Sequence, residues 1–84
     1  MTWALEFTAT ARREIAKLNT PVRRQLEADL RGLVADPSAG KFLRGRLKGI
    51  RSWRSGDYRI LYGIDPARAV LMVYRMAHRR EVYR

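Results

Sequence analysis

The stretch that most constrains this chain is Arg51-Ser-Trp-Arg-Ser-Gly-Asp-Tyr-Arg-Ile-Leu-Tyr62. Gly56-Asp57 is a two-residue turn signal set between runs rich in Trp, Tyr, Ile and Leu, which predicts a β-hairpin. With those two residues as the loop, Ser55 faces Tyr58, Arg54 faces Arg59 and Trp53 faces Ile60. Side chains alternate across a strand, so one face carries Ile50, Ser52, Arg54, Arg59 and Leu61, and the other carries Trp53, Ile60, Tyr62 and Ile64. The second face suits a core. The first sets two guanidinium groups opposite each other, which is destabilising unless an anion lies between them. A phosphate is the natural candidate.

Elsewhere the chain supplies two helices and two more strands. Thr2 to Phe7 alternates, with Trp3, Leu5 and Phe7 on one side of a half-buried strand. Thr8 or Thr10 can cap a helix running to about Leu18, with Ala11, Ile15 and Leu18 on its apolar stripe. Asn19-Thr20-Pro21 punctuates, and a Thr cap followed by Pro starts a second helix. Val22, Leu26, Leu30, Leu33 and Val34 mark that helix's apolar face, and Asp36-Pro37 ends it. Residues 37–48 read as a basic loop, anchored by Phe42, Leu43 and Leu47. After the hairpin, Asp65-Pro66-Ala67-Arg68 turns the chain into an apolar strand from Ala69 to Ala77. Val70, Met72, Tyr74 and Met76 are expected on one of its faces and Leu71, Val73 and Arg75 on the other, as in a central strand. The expected fold is a single α+β domain over residues 1–84, β-α-α-β-β-β, with a helical hairpin packed on a mostly antiparallel four-stranded sheet.

Charge narrows the partner class. The 84 residues include 18 Lys+Arg against 8 Asp+Glu, a formal net charge of +10. Residues 1–40 hold six basic and five acidic side chains, whereas residues 41–84 hold twelve and three. A domain with its positive charge gathered in one half points to nucleic acid, and arginine, the commonest cation here, forks onto phosphate and stacks on bases. The absence of cysteine excludes disulfides and thiolate metal sites. His78 is the only histidine, so no histidine cluster can hold a metal, and no cofactor is called for. The start of the chain carries no basic leader, and no run reaches the ~18 apolar residues of a membrane span, so a cytoplasmic protein without membrane attachment is expected.

The final residues, His78-Arg-Arg-Glu-Val-Tyr-Arg84, bring a histidine, three arginines and a tyrosine directly after the last strand. His78 can act as acid or base near neutral pH or simply cap the strand. Tyr83 can pack, stack on a base, or accept a proton if surrounding arginines lower its pKa.

Leu43-Arg44, Leu47-Lys48-Gly49, Arg54-Ser-Gly-Asp-Tyr-Arg59 and His78-Arg-Arg-Glu-Val-Tyr83, taken in order, resemble the RelE/ParE superfamily of bacterial toxins. The Arg-Arg-Glu-Val-Tyr ending resembles the RelE branch. That resemblance implies a toxin of a type II toxin–antitoxin system, a metal-independent endoribonuclease that cuts mRNA in the ribosomal A site. It places the catalytic set on Arg59, Arg79 and Tyr83 with Arg54 in support and His78 as a further candidate. Lys41, Arg44, Arg46, Lys48, Arg51 and Arg80 are then the RNA- and ribosome-binding cations. The implied partners are an acidic, RelB-like antitoxin, the ribosome and its mRNA, with operator DNA reached only through the antitoxin complex. Among its departures, the RelE branch has two alternating lysines on the strand before the hairpin turn, where this chain has Ser52, so the site is expected to be either thinner or supplemented by Lys48. Two other readings share the sequence: a ParE-like inhibitor of DNA gyrase, and a non-catalytic basic nucleic-acid-binding domain.

Overall fold

A computed structural model describes residues 3–43 and 49–82. Strand β1 (Ala4–Phe7) leads into helices α1 (Ala9–Lys17) and α2 (Thr20–Ala35), then strands β2 (Lys41–Phe42), β3 (Arg51–Ser55), β4 (Tyr58–Asp65) and β5 (Val70–His78). The sheet runs β1-β5-β4-β3-β2, with β1 parallel to β5 and the remaining pairs antiparallel. It has five strands rather than the expected four. The extra one lies in the segment read as a loop, where Lys41 and Phe42 pair with Ser52 and Arg51. Two residues are too few for alternation to betray a strand. Among the described residues, no helix is long and apolar enough to cross a membrane.

Local chemistry sets the helix ends. The Thr8 hydroxyl accepts the Ala11 N–H at 3.1 Å and starts α1. Asn19, not Thr20, caps α2: its Oδ1 accepts the Val22 N–H at 3.0 Å, which leaves Thr20 and Pro21 as the first two helical residues. Proline costs nothing there, because its missing N–H would have had no partner in the helix. Leu26, Leu30 and Leu33 of α2 are buried with Ala11, Ile60, Tyr62, Leu71, Val73 and Met76, and Val22 and Trp53 pack against them half-buried. Leu5 and Ile64, both expected inside, are instead 36 % and 37 % exposed, one on the edge strand and the other near the far end of β4. Leu5 borders an open apolar groove that it shares with Phe7, Ile15, Leu30 and Met76.

The hairpin takes the expected register, with Ser55 opposite Tyr58, Arg54 opposite Arg59 and Trp53 opposite Ile60. Gly56 has φ +61° while Asp57 stays at negative φ, the pattern of a type II′ turn that only glycine fills without strain at its first position. In β5 the expected alternation fails. Leu61 pairs with Arg75 but Tyr62 pairs with Val73, so Tyr74 is an extra residue, a β-bulge. The bulge shifts the phase of the strand: Leu71, Val73 and Met76 all face the helices, where strict alternation would have turned Met76 away from the other two. The opposite face holds a second, smaller cluster of Leu61, Ala77 and Val82, with Leu43 and Ile50 against it. Phe42 does not anchor its segment. It is 61 % exposed and covered by the Arg51 guanidinium at 3.7 Å from the ring centre. Leu47 lies outside the described residues.

Tyr62 locks the turn after α2. Its buried hydroxyl donates to Pro37 O at 2.6 Å and accepts the Gly40 N–H at 2.9 Å. The ring sits so close to Gly40 that any side chain there would collide with it. Burial raises the phenol's pKa above the ordinary value of 10.0, against the opposing pull of the Gly40 N–H and of Arg51.

Two stability measurements follow from this packing. Leu26→Ala leaves a cavity on all sides enclosed and is expected to cost about 2–5 kcal/mol in denaturant unfolding, with Leu30→Ala at the lower end because it adjoins the open groove. Tyr62→Phe strands the Gly40 N–H and the Pro37 carbonyl and is expected to cost about 1–3 kcal/mol. Because the folded state holds the Tyr62 pKa above its unfolded value, the neutral phenol's contribution is complete below the unfolded pKa of ~10 and is lost as pH rises towards the folded one. The stability difference between the parent and Tyr62→Phe should therefore shrink above about pH 10. A difference that stays constant or widens there would contradict the buried neutral phenol.

Candidate nucleic-acid site on the outer face of the sheet

Alternation in β3 and β4 sends Ser52, Arg54 and Arg59 to the face of the sheet away from the helices. Ser52 is buried, and its hydroxyl accepts from Arg59 Nη1 at 3.1 Å, which orients that guanidinium along the sheet. Arg54 is exposed and donates from Nε to Gly56 O at 3.1 Å. With Lys41, Trp53 and Ala39 these residues line a cleft of about 330 Å³. Three cations thus surround one concavity.

Among the described residues, no carboxylate forms an ion pair with them. The ion pairs among the described residues are Arg23–Glu27, Arg68–Glu6, Arg68–Asp65 and Arg75–Glu14. All lie elsewhere, so Arg54 and Arg59 keep their charge facing each other across the strands. The neighbouring Trp53, which packs against the helix-side core, has a buried Nε1–H without a hydrogen-bond partner. The chemistry of three such cations suits an anion, and a phosphodiester group matches their donors.

The tail is built onto the same strands. Arg79 donates its N–H to Asp57 O at 2.7 Å, so its backbone is tied to the hairpin turn. The His78 carbonyl accepts from Glu81 N at 2.8 Å and Val82 N at 3.1 Å, closing a tight turn. Val82 is 2 % exposed and packs in the outer-face cluster with Ala77, the cross-strand neighbour of Arg59. The residue preceding Tyr83 is therefore anchored beside the arginine strand. Tyr83 itself lies outside the described residues, as do Arg44, Arg46 and Lys48.

The remaining candidates separate from this cluster. His78 pairs with Tyr58 on the helix side of the sheet, its ring edge-on to Tyr58 with centroids 5.5 Å apart, and its Nδ1 accepts the Arg80 N–H at 3.2 Å. It borders a different depression, with Glu14, Lys17 and Glu81. Arg51 donates from Nη1 to Gly40 O at 2.9 Å and to Ser38 O at 3.3 Å, and so braces the turn after α2. Arg80 is exposed on the tail turn. Among the described residues, no three His, Cys, Asp or Glu side chains converge on one point. Sequence reasoning treated Ser52 as a gap in the cation set, whereas it is the hydroxyl that holds Arg59. A small polar residue on an otherwise charged strand face was the available signal.

Comparison with known proteins places this geometry. Residues 5–83 match the family described as "ParE toxin of type II toxin-antitoxin system, parDE". Toxin RelG of Mycobacterium tuberculosis is 37 % identical over 86 residues, covering 100 % of this chain and 99 % of the relative. Toxin RelE of the same organism is 35 % identical over 80 residues, covering 93 % and 82 %. The fold superposes on a chain of the toxin–antitoxin complex RelBE2 of M. tuberculosis with TM-score 0.85 and 35 % identity, covering 95 % of this chain and 94 % of that one. It superposes on the isolated RelE toxin of E. coli with TM-score 0.77 and 31 % identity, covering 96 % and 90 %. Whole-length similarity of sequence and fold together means that this chain belongs to the RelE/ParE family of type II toxin–antitoxin toxins.

Proposed function

We propose that this toxin is a ribosome-dependent endoribonuclease that cleaves mRNA in the ribosomal A site and so halts translation. The observation that carries the reading is the cleft in which Arg54 opposes Arg59 beside Lys41 with no carboxylate among them. The RelE-type relatives support it.

The chemistry follows from what arginine can and cannot do. A guanidinium stays protonated throughout the physiological range, so Arg54, Arg59 and Arg79 stabilise charge and abstract no proton. Internal transesterification suits such a set. The RNA 2′-oxygen attacks the adjacent phosphorus, the 2′-O–P bond forms and the P–O5′ bond breaks. The products are a 2′,3′-cyclic phosphate and a free 5′-hydroxyl. The arginines carry the added charge of the phosphorane. With the His78 ring on the helix side of the sheet, Tyr83 as the phenolate is assigned the proton taken from the 2′-hydroxyl, and a water molecule gives its proton to the departing 5′-oxygen. The ribosome supplies what a shallow open cleft lacks, an mRNA held with its 2′-oxygen in line with the scissile bond. Orientation of this kind contributes several kcal/mol, up to roughly 7–11 in favourable cases.

An acidic, RelB-like antitoxin completes the system. The RelE of E. coli is found in an intact RelBE toxin–antitoxin complex, to whose chain this one is 30 % identical with TM-score 0.78. A disordered acidic segment that folds on the basic half would cover a large area and mask the cleft, at an ordering cost of ~2–5 kcal/mol. In this reading the pair works in the cytoplasm and touches operator DNA only through the antitoxin.

Expression of single variants tests the assignment. Arg59→Ala, Arg79→Ala and Tyr83→Phe should each fold, with ribosome-dependent mRNA cleavage reduced by about 10²–10³. Arg54→Ala should match or exceed the parent in thermal stability, because a like-charge opposition is relieved. Full cleavage by folded Arg59→Ala or Arg79→Ala would place the site elsewhere. The family match carries the ParE description, and intact mRNA together with induced DNA-damage signalling would favour gyrase inhibition instead. Coexpression should yield a stable complex with an acidic protein encoded beside the toxin. Recovery of the toxin alone, harmless in excess, would contradict the antitoxin arm.

A further inference from the structure

Glu14 and Arg75 lie outside the cationic cleft, and the cleavage chemistry makes no use of them. Arg75 Nε donates to both carboxylate oxygens of Glu14, at 3.0 and 3.1 Å, and Nη2 donates to Oε2 at 2.8 Å. The same carboxylate accepts the Met76 N–H at 3.1 Å. The guanidinium also reaches the tail turn: Nη1 donates to Val82 O at 3.3 Å and Nη2 to Glu81 O at 3.2 Å. The two side chains are only 23 % and 17 % exposed. The bonds to Glu14 hold the Arg75 pKa above its ordinary value, so the fork stays charged. One ion pair thus joins α1, the bulged end of β5 and the two residues directly before Tyr83.

We propose that Glu14–Arg75 is a positioning pair for the cleavage site: it fixes the tail turn so that Arg79 meets the phosphate held by Arg59. This rests on the function proposed above. The Arg79 side chain is exposed, so its placement depends on the backbone from His78 onward. That backbone is tied to the hairpin by Arg79 N–Asp57 O and to the outer face by Val82, and the Arg75 fork adds its tie to the helix layer. A planar five-donor fork can serve a carboxylate and two carbonyls at once, whereas a lysine ammonium is a single point with three donors. The residue type at position 75 therefore decides whether the tail is held.

The test compares Arg75→Lys and Glu14→Gln with the parent, using the full chain. Hydrogen exchange at the Arg79, Glu81 and Val82 amides should speed up by about tenfold or more in both variants. On programmed ribosomes kcat should fall by about 10², the scale of a misplaced catalytic group, with KM changed by no more than about threefold. The distinguishing readout is a double-mutant cycle: in an Arg79→Ala background, Arg75→Lys should cost little more, because the group being positioned is gone. Unchanged exchange at the three amides overturns the inference. So does an equal loss with and without Arg79, which would make the pair a general brace. If Arg75→Lys does not fold, Glu14→Gln, which keeps an acceptor for the Met76 N–H, carries the same comparison. Absence of cleavage by the parent would sink the ribonuclease reading, whereas full cleavage by both variants would sink only this one.

Discussion

The bulge at Tyr74 is the constraint on which the rest of the molecule depends. An extra residue in β5 lets one strand serve two cores. Before it, Leu71 and Val73 face the helices; after it, Met76 joins them while Ala77 turns to the outer cluster. The bulge lies where β1 has ended, so that edge of β5 would otherwise meet no strand. Residues of α1 and its cap fill the gap. Thr8 N donates to Val73 O at 3.0 Å, the Thr8 hydroxyl donates to Tyr74 O at 2.9 Å, and Glu14 accepts from Met76 N. A half-buried strand edge left without partners is costly, and here helix residues complete it. A residue at position 14 without a side-chain acceptor would strip the Met76 N–H of its partner and Arg75 of its carboxylate.

The outer face works against stability and towards binding. Opposed arginines on neighbouring strands repel, and the molecule tolerates this because the other face of the same strands buries Ile60 and Tyr62 in the core. Glu27, Glu6, Asp65 and Glu14 are spent elsewhere, on Arg23, Arg68 and Arg75. In the proposed reading, function and fold are thereby divided between the two faces of one sheet. Ser52 is the point of contact between them, a buried hydroxyl whose bond holds the Arg59 guanidinium against the sheet.

Much of this was legible in the residues because the signals were local. The Gly56-Asp57 turn fixed the hairpin register, and register alone put Arg54 opposite Arg59. The α2 stripe of Leu26, Leu30 and Leu33 identified the buried face. What stayed hidden was non-local. The bulge arises from the way β5 meets both β4 and α1, and a period-2 reading of Ala69 to Ala77 cannot register an extra residue. The parallel pairing of β1 with β5 and the short β2 strand depend likewise on partners distant in sequence. Arg75 read as one more inward or outward position on a strand. Its role emerges only once Glu14, 61 positions earlier, is brought to it. For the site, the arginine cleft was readable, while the turn of His78 to the helix side and the bracing task of Arg51 required the fold.

The central claim is that the outer-face cleft directs a 2′-oxygen onto the neighbouring phosphorus of ribosome-held mRNA. It is tested most directly with purified toxin, ribosomes programmed with a defined mRNA, and the same mRNA carrying a single 2′-deoxy nucleotide at the cleaved position. The account predicts cleavage of the all-ribose message only when ribosomes are present, with 2′,3′-cyclic phosphate and 5′-hydroxyl ends, and no cleavage of the deoxy-substituted message at that site. Cutting of the deoxy-substituted message at an undiminished rate, or of neither message under any condition, would contradict it.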